Sequence, residues 1–234
     1  MNKLSVLTYT HTNTKDLHAA YFGRLYKYFP QLKNSYVLCN EPVEYDNCIV
    51  YDDSTSHGTQ MSLALKQIPT EYVIYSQEDY ILFDYVTTKE LESLITILDL
   101  NLEIPFIRLI YSGVGNSNQN YNNNLISLDT ATIHYFSTQI TLWRKSVLLN
   151  LYETANPQSI RDECDNSDAL RKFAPNGLVV SSVGKQVGGH YNSVQYPYIA
   201  TAINHGKWNY TEYETELTEL FNEYNINPFE RGII

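Results

Sequence analysis

The feature that most constrains the fold is an alternation of short apolar runs with helical segments over the first 80 residues. Short runs rich in Val, Ile, Leu and Tyr predict strands, and longer segments whose apolar residues recur at helical spacing predict helices. The predicted strands are 3–8, 36–39, 48–51 and 72–75, and the predicted helices are 16–29 and 59–68. Strands that alternate with helices predict an α/β fold whose mostly parallel central sheet is flanked by helices.

The second half of the chain continues these patterns without a linker. The predicted helices there are 87–98, 143–154, 160–173 and 213–224, and the predicted strands are 106–111 and 133–141. The segment 113–124 is rich in Asn and has few apolar side chains to bury, so it predicts a loop, either a substrate lid or a surface insertion. We expect a single domain over 1–234, made of an N-terminal half, 1–112, and a C-terminal half, 125–234.

The charge balance excludes one large class of function. The chain has 234 residues, with 26 Asp and Glu against 16 Lys and Arg, a formal net charge of −10. Proteins that follow a phosphate backbone need the opposite excess, so we expect no nucleic-acid partner. No apolar run approaches the roughly 18 to 20 residues that span a bilayer, and the N-terminus does not resemble a signal peptide. These features predict a soluble, cytoplasmic protein without a transmembrane segment.

Cysteine and histidine give no sign of a zinc site. The cysteines Cys39, Cys48 and Cys164 are odd in number and none forms a CxxC pair, so neither a disulfide framework nor a cysteine zinc site is predicted. The six histidines are dispersed, with no HxH or HExxH spacing, which argues against a zinc hydrolase.

Two adjacent acids, Glu78 and Asp79, directly follow the predicted strand that starts at Tyr72. Ligands of open α/β sheets bind beyond the carboxyl ends of the strands, so these acids are expected to face a crevice. Two carboxylates there can hold a divalent cation, which in turn can neutralise a diphosphate. A solvated turn is the alternative explanation of the pair. A second pair, Asp52 and Asp53, precedes Ser and Thr residues, so a helix-capping turn or a nucleotide contact suits it better than a metal site.

Four segments carry a resemblance to a known family. Adjacent acids are followed by an aromatic and apolar residues at 77–82; a small polar stretch leads into a Trp with basic residues and a Leu-rich segment at 135–149; a Pro precedes acids at 157–163; and a Gly-Lys-Trp element closes 202–208. In this order the segments resemble the small nucleotide-sugar glycosyltransferases of the GT-A fold, including those of large DNA viruses and bacterial polysaccharide clusters.

The resemblance implies a chemistry and roles for particular residues. It implies transfer of a sugar from a nucleotide-sugar donor, with a UDP-sugar expected, to a hydroxyl of a glycan acceptor in polysaccharide biosynthesis, with inversion. Asp79 and Glu78 would hold Mn²⁺ or Mg²⁺ at the donor diphosphate. Glu163 would accept the proton of the acceptor hydroxyl, with Asp162 and Asp165 as alternatives because Ile160 replaces the family's usual aromatic.

The same resemblance assigns the two halves of the chain. The N-terminal half would bind the nucleotide sugar and the C-terminal half the acceptor. Nucleotide contacts are expected from Asp52 and from the end of the first strand, with Tyr9 stacking on the base or closing over the ribose. His190 follows two glycines, and it is expected either to close on the diphosphate or the metal, or to be a loop histidine with no such role. The strand-end contacts are Thr8, Tyr9 and Thr10, and the residues that either line an acceptor groove or pack in the core are Trp143 and Trp208.

Three other functions can be weighed against the sequence. A sugar nucleotidyltransferase needs a glycine-rich basic loop after the first strand, but residues 8–13 contain no glycine and no basic side chain other than His11. A P-loop NTPase needs GxxxxGK[ST], which is absent. The alternative from another class is a non-catalytic glycan- or nucleotide-binding module, which would bind its ligand without metal and transfer nothing.

Overall fold

A central sheet of nine strands organises the computed structural model. The structure describes residues 1–45, 47–112, 119–131, 135–160, 162, 172 and 174–234. The strands are β1 Leu4–Tyr9, β2 Ser35–Cys39, β3 Cys48–Val50, β4 Tyr72–Gln77, β5 Phe106–Arg108, β6 Gln119–Asn122, β7 Leu125–Ser127, β8 Thr141–Arg144 and β9 Leu178–Val180. Their order across the sheet is β3-β2-β1-β4-β8-β5-β9-β7-β6.

Helices and two small hairpins complete the described part of the chain. The helices are α1 Lys15–Tyr28, α2 His57–Gln67, α3 Thr88–Leu100, α4 Lys145–Ala155, α5 Tyr210–Tyr224 and α6 Pro228–Arg231, and a 3₁₀ turn at Thr12–Thr14 precedes α1. One hairpin pairs β10 Gln186–Val187 with β11 His190–Tyr191, and the other pairs β12 Ile203–Asn204 with β13 Lys207–Trp208.

The strand directions place several chain segments at one edge of the sheet. Strands β1 to β4 are mutually parallel, so their carboxyl ends share an edge. Strand β8 runs antiparallel between β4 and β5, so it begins at that same edge. Strands β5 and β9 are parallel to each other and end there. This edge is where ligands of open α/β sheets bind.

Alternating side chains of the strands supply two cores, one on each face of the sheet. Leu4 and Val6 of β1 pack with apolar residues of α1, α3 and α5. Leu7 of the same strand, with Val73 and Tyr75 of β4, packs with apolar residues of α2 and α4. Because successive side chains of a strand point to opposite faces, helices cover both faces, as the sequence pattern predicts.

Several predicted element boundaries need correction. The strand predicted over 133–141 instead begins at Thr141, and Trp143, predicted to start a helix, lies in β8. Leu142 and Trp143 are buried on opposite faces of the sheet, which requires a strand at this position. The apolar residues before them lie in bends, so their pattern in the sequence wrongly predicted a strand there. Residues 119–122 of the predicted loop form β6, and residues 113–118 of that loop lie outside the described part. Most of the predicted helix at 160–173 also lies outside it.

Both tryptophans belong to the cores. Trp143 is 2% exposed and packs on Phe106, with ring centroids 4.5 Å apart. Trp208 is 1% exposed and contacts the ring of Phe221 at 5.0 Å. Of the two interpretations that the sequence left open for these residues, the structure supports core packing. Among the described residues, no helix combines the length and the apolar composition needed to cross a bilayer.

Candidate active site

The acidic pair lies where the sequence pattern predicts it. Strand β4 ends at Gln77, and Glu78 and Asp79 follow it at the carboxyl edge of the sheet, both partly buried. The backbone N–H of Tyr80 donates to the carbonyl of Gln77 at 3.1 Å, which closes a turn around the pair. The hydroxyl of Tyr80 lies 3.0 Å from Oγ1 of Thr138, in the segment that enters β8. The pair is therefore fixed between two neighbouring strands.

The pKa values of both acids are raised, because their negative charges are only partly compensated by neighbouring groups. Burial, and then the neighbouring Glu78 carboxylate, raise the pKa of Asp79 to about 7. Burial also raises the pKa of Glu78, although hydrogen bonds from Thr14 and Thr10 and the positive charge of Arg231 act in the opposite direction. A cation bound between these two carboxyl groups would favour their ionised forms and offset the repulsion between them.

The residues present fit a divalent cation only as a partial ligand set. Among the described residues, no three His, Cys, Asp or Glu side chains form a group able to hold a metal. Glu78 and Asp79 offer two carboxylates, the hard oxygen ligands that Mg²⁺ and Mn²⁺ prefer. Mg²⁺ commonly binds one or two carboxylates and takes its other ligands from water and substrate phosphates. The pair therefore fits a cation that arrives with, or is completed by, a diphosphate.

Aromatic rings form a wall beside the ends of β1 and β3. Tyr9 and Tyr51 stack with ring centroids 5.3 Å apart and planes 11° from parallel. The ring of His57, at the start of α2, meets Tyr9 edge-on at 4.8 Å. The hydroxyl of Tyr9 donates to Oε1 of Gln60 at 2.8 Å, and that of Tyr51 donates to the carbonyl of Thr10 at 3.1 Å. These bonds fix the orientation of both tyrosine rings.

The structure separates the three residues predicted at the end of β1. Tyr9 is partly exposed, whereas the side chains of Thr8 and Thr10 are buried. Oγ1 of Thr8 lies 2.9 Å from the hydroxyl of Tyr21, which donates to Oγ of Ser76 at 2.9 Å. The Thr8 side chain thus lies in the core beneath the site and links β1 to the end of β4.

Thr10 connects the acidic pair to α1. Its Oγ1 lies 2.8 Å from Nε2 of His18, and Thr10 also lowers the pKa of the Glu78 carboxyl group. Burial lowers the pKa of His18, which favours the neutral imidazole. Thr10 is therefore placed to orient Glu78 from below.

Asp52 and Asp53 have separate environments. The carboxylate of Asp52 accepts a hydrogen bond from the backbone N–H of Ser54 at 2.8 Å, which lowers its pKa. Asp52 thus forms a turn, as expected, but not a helix-capping one, because the residue that caps α2 is Ser56. Oδ2 of Asp53 lies 3.4 Å from Nε2 of His11 and accepts a hydrogen bond from Nδ2 of Asn40 at 3.3 Å. Asp53 therefore faces the segments that follow β1 and β2.

The candidate bases and His190 belong to the second half of the chain. Glu163 and Asp165 lie outside the described residues. Asp162 is described, and its carboxylate accepts a hydrogen bond from the backbone N–H of Gln158 at 2.8 Å. His190 is partly exposed on β11, and the neighbouring Tyr191 contacts the ring of Tyr111, just beyond β5, at 5.5 Å. That contact places the hairpin beside the segment that follows β5.

The site also contains residues that the sequence did not single out. Tyr51 is the last apolar residue before Asp52, and its position at a strand end was a usable signal. His57 and Gln60 lie on the first turns of α2, where a polar face is expected, so nothing marked them. Arg231 reaches the site from α6: its guanidinium binds Asp16, with Nε 2.9 Å from Oδ2. No local pattern could reveal an ion pair between residues 215 positions apart.

Comparisons with known proteins identify the type of fold. The sequence matches no family model and no curated protein. Among solved structures, S. aureus TarS 1-349 aligns with a TM-score of 0.52 and 15% identity, over 98% of this chain and 68% of that one. Further matches are TarS 1-349 in complex with UDP, at TM-score 0.52 and 14% identity, and in complex with UDP-GlcNAc, at 0.50 and 14%, covering 98% of this chain and 68% and 69% of those chains.

A second kind of protein shares the architecture. CMP:2-keto-3-deoxy-manno-octonic acid synthetase complexed with CTP aligns with a TM-score of 0.50 and 14% identity, over 83% of this chain and 93% of that one. At such identities the likeness concerns the fold alone. The expected α/β architecture is thereby confirmed: this chain has a GT-A-like fold, the type found in nucleotide-sugar glycosyltransferases.

Proposed function

We propose that the protein is a glycosyltransferase that transfers a sugar from a nucleotide sugar, with a UDP-sugar as the expected donor, to a glycan hydroxyl. The observation that carries the proposal is the placement of Glu78 and Asp79 at the carboxyl end of β4, beside the aromatic wall of Tyr9 and Tyr51. The acidic pair would hold a cation that neutralises the diphosphate, and the adjacent tyrosine rings would contact the nucleoside. TarS structures of the same fold type contain UDP and UDP-GlcNAc, which supports this class of donor.

The chain's own residues would prepare the acidic pair for its role. Thr10 and Thr14 act on Glu78 to lower the pKa of its carboxyl group, which favours the ionised form that a cation requires. Asp79 is aligned by its own backbone N–H and by the turn that follows β4. A bound Mn²⁺ or Mg²⁺ would supply charge neutralisation at the leaving diphosphate. His190 would approach the same diphosphate from its hairpin.

The nucleoside end of the donor would lie along β1 and β3. Tyr9 would offer its partly exposed ring to the base or ribose, since the hydrogen bond to Gln60 and the stack on Tyr51 fix its plane. Fixing the ring before binding reduces the entropy that binding must overcome. Asp52 would contact the nucleotide from the turn after β3. In this arrangement Thr8 and Thr10 support the binding surface from below.

An inverting displacement needs a base for the acceptor hydroxyl. We propose Glu163 for this role, with Asp162 and Asp165 as alternatives. The hydrogen bond from the Gln158 backbone holds the Asp162 carboxylate against its own chain segment, which favours Glu163. The carbonyl of Gln158 accepts a hydrogen bond from the backbone N–H of His57 at 3.3 Å, so this segment is attached to the start of α2.

One feature argues against the nucleotidyltransferase that shares the fold. Such an enzyme needs basic side chains after the first strand to bind a triphosphate. Here the sole basic side chain of residues 8–13 is that of His11, and it lies 3.4 Å from the carboxylate of Asp53. A transferase that uses a diphosphate sugar suits this loop better.

The test is thermal stabilisation by UDP, GDP, CMP and dTDP, each with and without Mn²⁺. A ligand that binds only the folded state at 100 times its Kd adds about 2.7 kcal/mol to the free energy of unfolding. We expect stabilisation by one of the diphosphates that depends on Mn²⁺ and is lost in Asp79→Asn. The matched control is Asp84→Asn, which removes an exposed carboxylate beyond the site and should keep the response.

The outcomes separate the candidate functions. No stabilisation by any nucleotide would contradict the proposal. Stabilisation retained in full by Asp79→Asn would place the cation elsewhere. Nucleotide-sugar binding without release of a nucleoside diphosphate, in the presence of glycan acceptors, would favour the non-catalytic binding module.

A further inference from the structure

A cavity outside the acidic site has a lining suited to a neutral ligand. It has a volume of about 270 Å³ and lies between α3, the end of β9 and the segment 194–195. This volume is slightly smaller than the roughly 300 to 1,000 Å³ typical of ligand pockets, so it suits one small ring rather than a nucleotide. None of the described residues assigned above to the donor site lines it.

The floor of the cavity is apolar. It is formed by Leu94 and Ile97 of α3, Val180 at the end of β9, and Val194. Leu94 and Val180 are buried, whereas Val194 is 44% exposed, so the floor opens to solvent on one side. An apolar surface of this size can contact the C–H face of a pyranose ring.

The rim of the cavity offers mainly hydrogen-bond acceptors. The hydroxyl of Ser93 donates to the carbonyl of Lys89 at 2.9 Å, and that of Ser181 donates to the carbonyl of Asn123 at 3.2 Å. With its proton engaged, each of these hydroxyls keeps lone pairs for a ligand. Glu90 adds a carboxylate. A ligand that matches this rim must bring donors, as the hydroxyls of a sugar do.

The negative charge of the cavity lining disfavours anionic ligands such as the diphosphate proposed for the acidic site. Among the described residues that line the cavity, Glu90 is the sole charged side chain, and none of them is Lys or Arg. A phosphate or carboxylate would meet a negative charge without a compensating cation. The amide of Gln195, 9% exposed, is already paired with the hydroxyl of Ser182 at 2.9 Å, so it needs no charged group of a ligand as a partner.

A hydrogen-bonded frame connects this cavity to the acidic pair. The segment after Asp79 runs beside residues 195–199: the N–H of Ile199 donates to the carbonyl of Ile81 at 2.9 Å, and the N–H of Thr87 donates to the carbonyl of Gln195 at 3.0 Å. Thr87 is eight residues beyond Asp79, which limits the separation along the chain to roughly 25 Å. A ligand of several sugar units could therefore contact both sites.

We infer that the cavity between α3 and β9 is a subsite for one sugar ring of a neutral, extended glycan acceptor. As an acceptor subsite it rests on the proposed function, but its recognition of a neutral saccharide does not. The cavity binds the ring through its apolar floor and orients the hydroxyls through Ser93, Ser181 and Glu90. A glycan held there passes along the frame toward Asp79.

The experiment is saturation-transfer-difference NMR with cellotetraose, maltotetraose and chitotetraose at millimolar concentration, with EDTA present and no nucleotide. We expect saturable binding of at least one saccharide by the wild-type chain. Ser93→Trp places a large ring over the cavity from an exposed helix position and should weaken binding at least tenfold. Thr96→Trp adds the same ring at an exposed position of α3 outside the lining and should bind like the wild type.

A second variant guards against misfolding. Glu90→Gln keeps the shape of the side chain and removes its charge, and we expect severalfold weaker saccharide binding with an unchanged melting temperature. Absence of saccharide binding in the wild type, or equal binding in Ser93→Trp, overturns the subsite. Saccharide binding without any nucleotide binding retains the cavity as a glycan site and contradicts the proposed transferase instead.

Discussion

At the scale of single residues, Asp79 is a carboxyl group whose pKa in the folded protein lies well above its ordinary value. Its pKa rises to about 7 because it is buried beside Glu78. A carboxyl group with a raised pKa in the folded state binds more protons there than in the unfolded state, so the free energy of unfolding falls as pH rises from about 4 to 7. Ionised Asp79 therefore destabilises the folded state, and the cation proposed to bind there would offset that cost.

The first prediction concerns this carboxyl group in the absence of divalent cations. Asp79→Asn should stabilise the protein more at pH 8 than at pH 5.5, with a difference of about 2 kcal/mol between the two pH values, because one pKa unit corresponds to about 1.4 kcal/mol. Urea unfolding in EDTA at both pH values measures it. Asp84→Asn, at an exposed carboxylate, should change the free energy of unfolding equally at the two pH values. An equal change at both pH values for Asp79→Asn would contradict the raised pKa of Asp79.

The second prediction concerns the buried hydroxyl of Tyr21. This group lies between Thr8 and Ser76, each 2.9 Å away, and burial raises its pKa to about 12. Tyr21→Phe leaves both partners without this bond and should cost about 1 to 3 kcal/mol of unfolding free energy. The matched control is Tyr85→Phe at a side chain that is 60% exposed, for which we expect a change within about 0.5 kcal/mol. Similar costs in both variants would show that the Thr8–Tyr21–Ser76 chain is not stabilising.

At the scale of elements, α1 and α5 are joined by charge as well as by apolar packing. Arg24 of α1 is 1% exposed, and its Nε lies 2.8 Å from Oε2 of Glu223 on α5. Lys27 contacts the other carboxylate oxygen at 2.7 Å. Burying a guanidinium is costly unless a counter-charge is present, so α5 is required for the position of α1.

The third prediction tests this junction. Glu223→Gln leaves the buried Arg24 without its counter-charge and should lower the free energy of unfolding by about 2 kcal/mol, less than for a fully buried pair because Glu223 is 30% exposed. Glu153→Gln removes the helix carboxylate that pairs with Lys66 at 2.7 Å on the surface, and should cost less than about 1 kcal/mol. Chemical denaturation of both variants provides the comparison. Equal losses would mean that the pair at Arg24 behaves like a surface pair.

The fourth prediction, also at the scale of elements, concerns the start of α2. Oγ of Ser56 accepts a hydrogen bond from the backbone N–H of Thr59 at 3.2 Å, so Ser56 caps the helix that carries His57 and Gln60. Ser56→Ala should cost about 1 kcal/mol of stability. Ser56→Thr keeps a hydroxyl that can accept from Thr59 and donate to Asn156, and should restore most of it, as thermal unfolding of the two variants would show. No difference between them would exclude the hydrogen bonds of this hydroxyl as the cause.

At the scale of the whole molecule, the net charge of −10 determines how the protein responds to salt. An excess of one charge repels itself in the compact state, and salt screens that repulsion. The fifth prediction is that the melting temperature at pH 7.5 rises when NaCl is increased at constant buffer. Near the sequence pI of about 5.0 the same increase should have little effect, and an equal rise at both pH values would assign the response to another cause.

The same charge bears on ligand binding. A diphosphate approaching a molecule of charge −10 meets net repulsion, and the acidic pair adds to it locally. The proposed divalent cation would neutralise the two negative charges of Glu78 and Asp79. This is why the proposed donor binding depends on a cation, whereas saccharide binding at the cavity between α3 and β9 does not.

Much of the framework could be predicted from local patterns. The alternation of apolar runs and helical segments predicted β1 to β4 with α1 and α2, because buried parallel strands and amphipathic helices leave periodic signatures. Strand β8 was misplaced because only four residues, Thr141–Arg144, enter the sheet, and such a short run is masked by the helix that follows. The strands β7 and β9, each of three residues, give too short a pattern to be recognised.

The sequence by itself determined the α/β class, the excess negative charge and the presence of two acids at the end of a buried strand, since each depends on neighbouring residues. Only the tertiary structure decided what surrounds those acids. Thr14, His57 and Arg231 come from three separate elements, and chain packing alone brings them to one edge of the sheet. The raised pKa of Asp79 likewise exists only after folding, because removal from water, rather than residue type, makes a carboxylate costly to ionise.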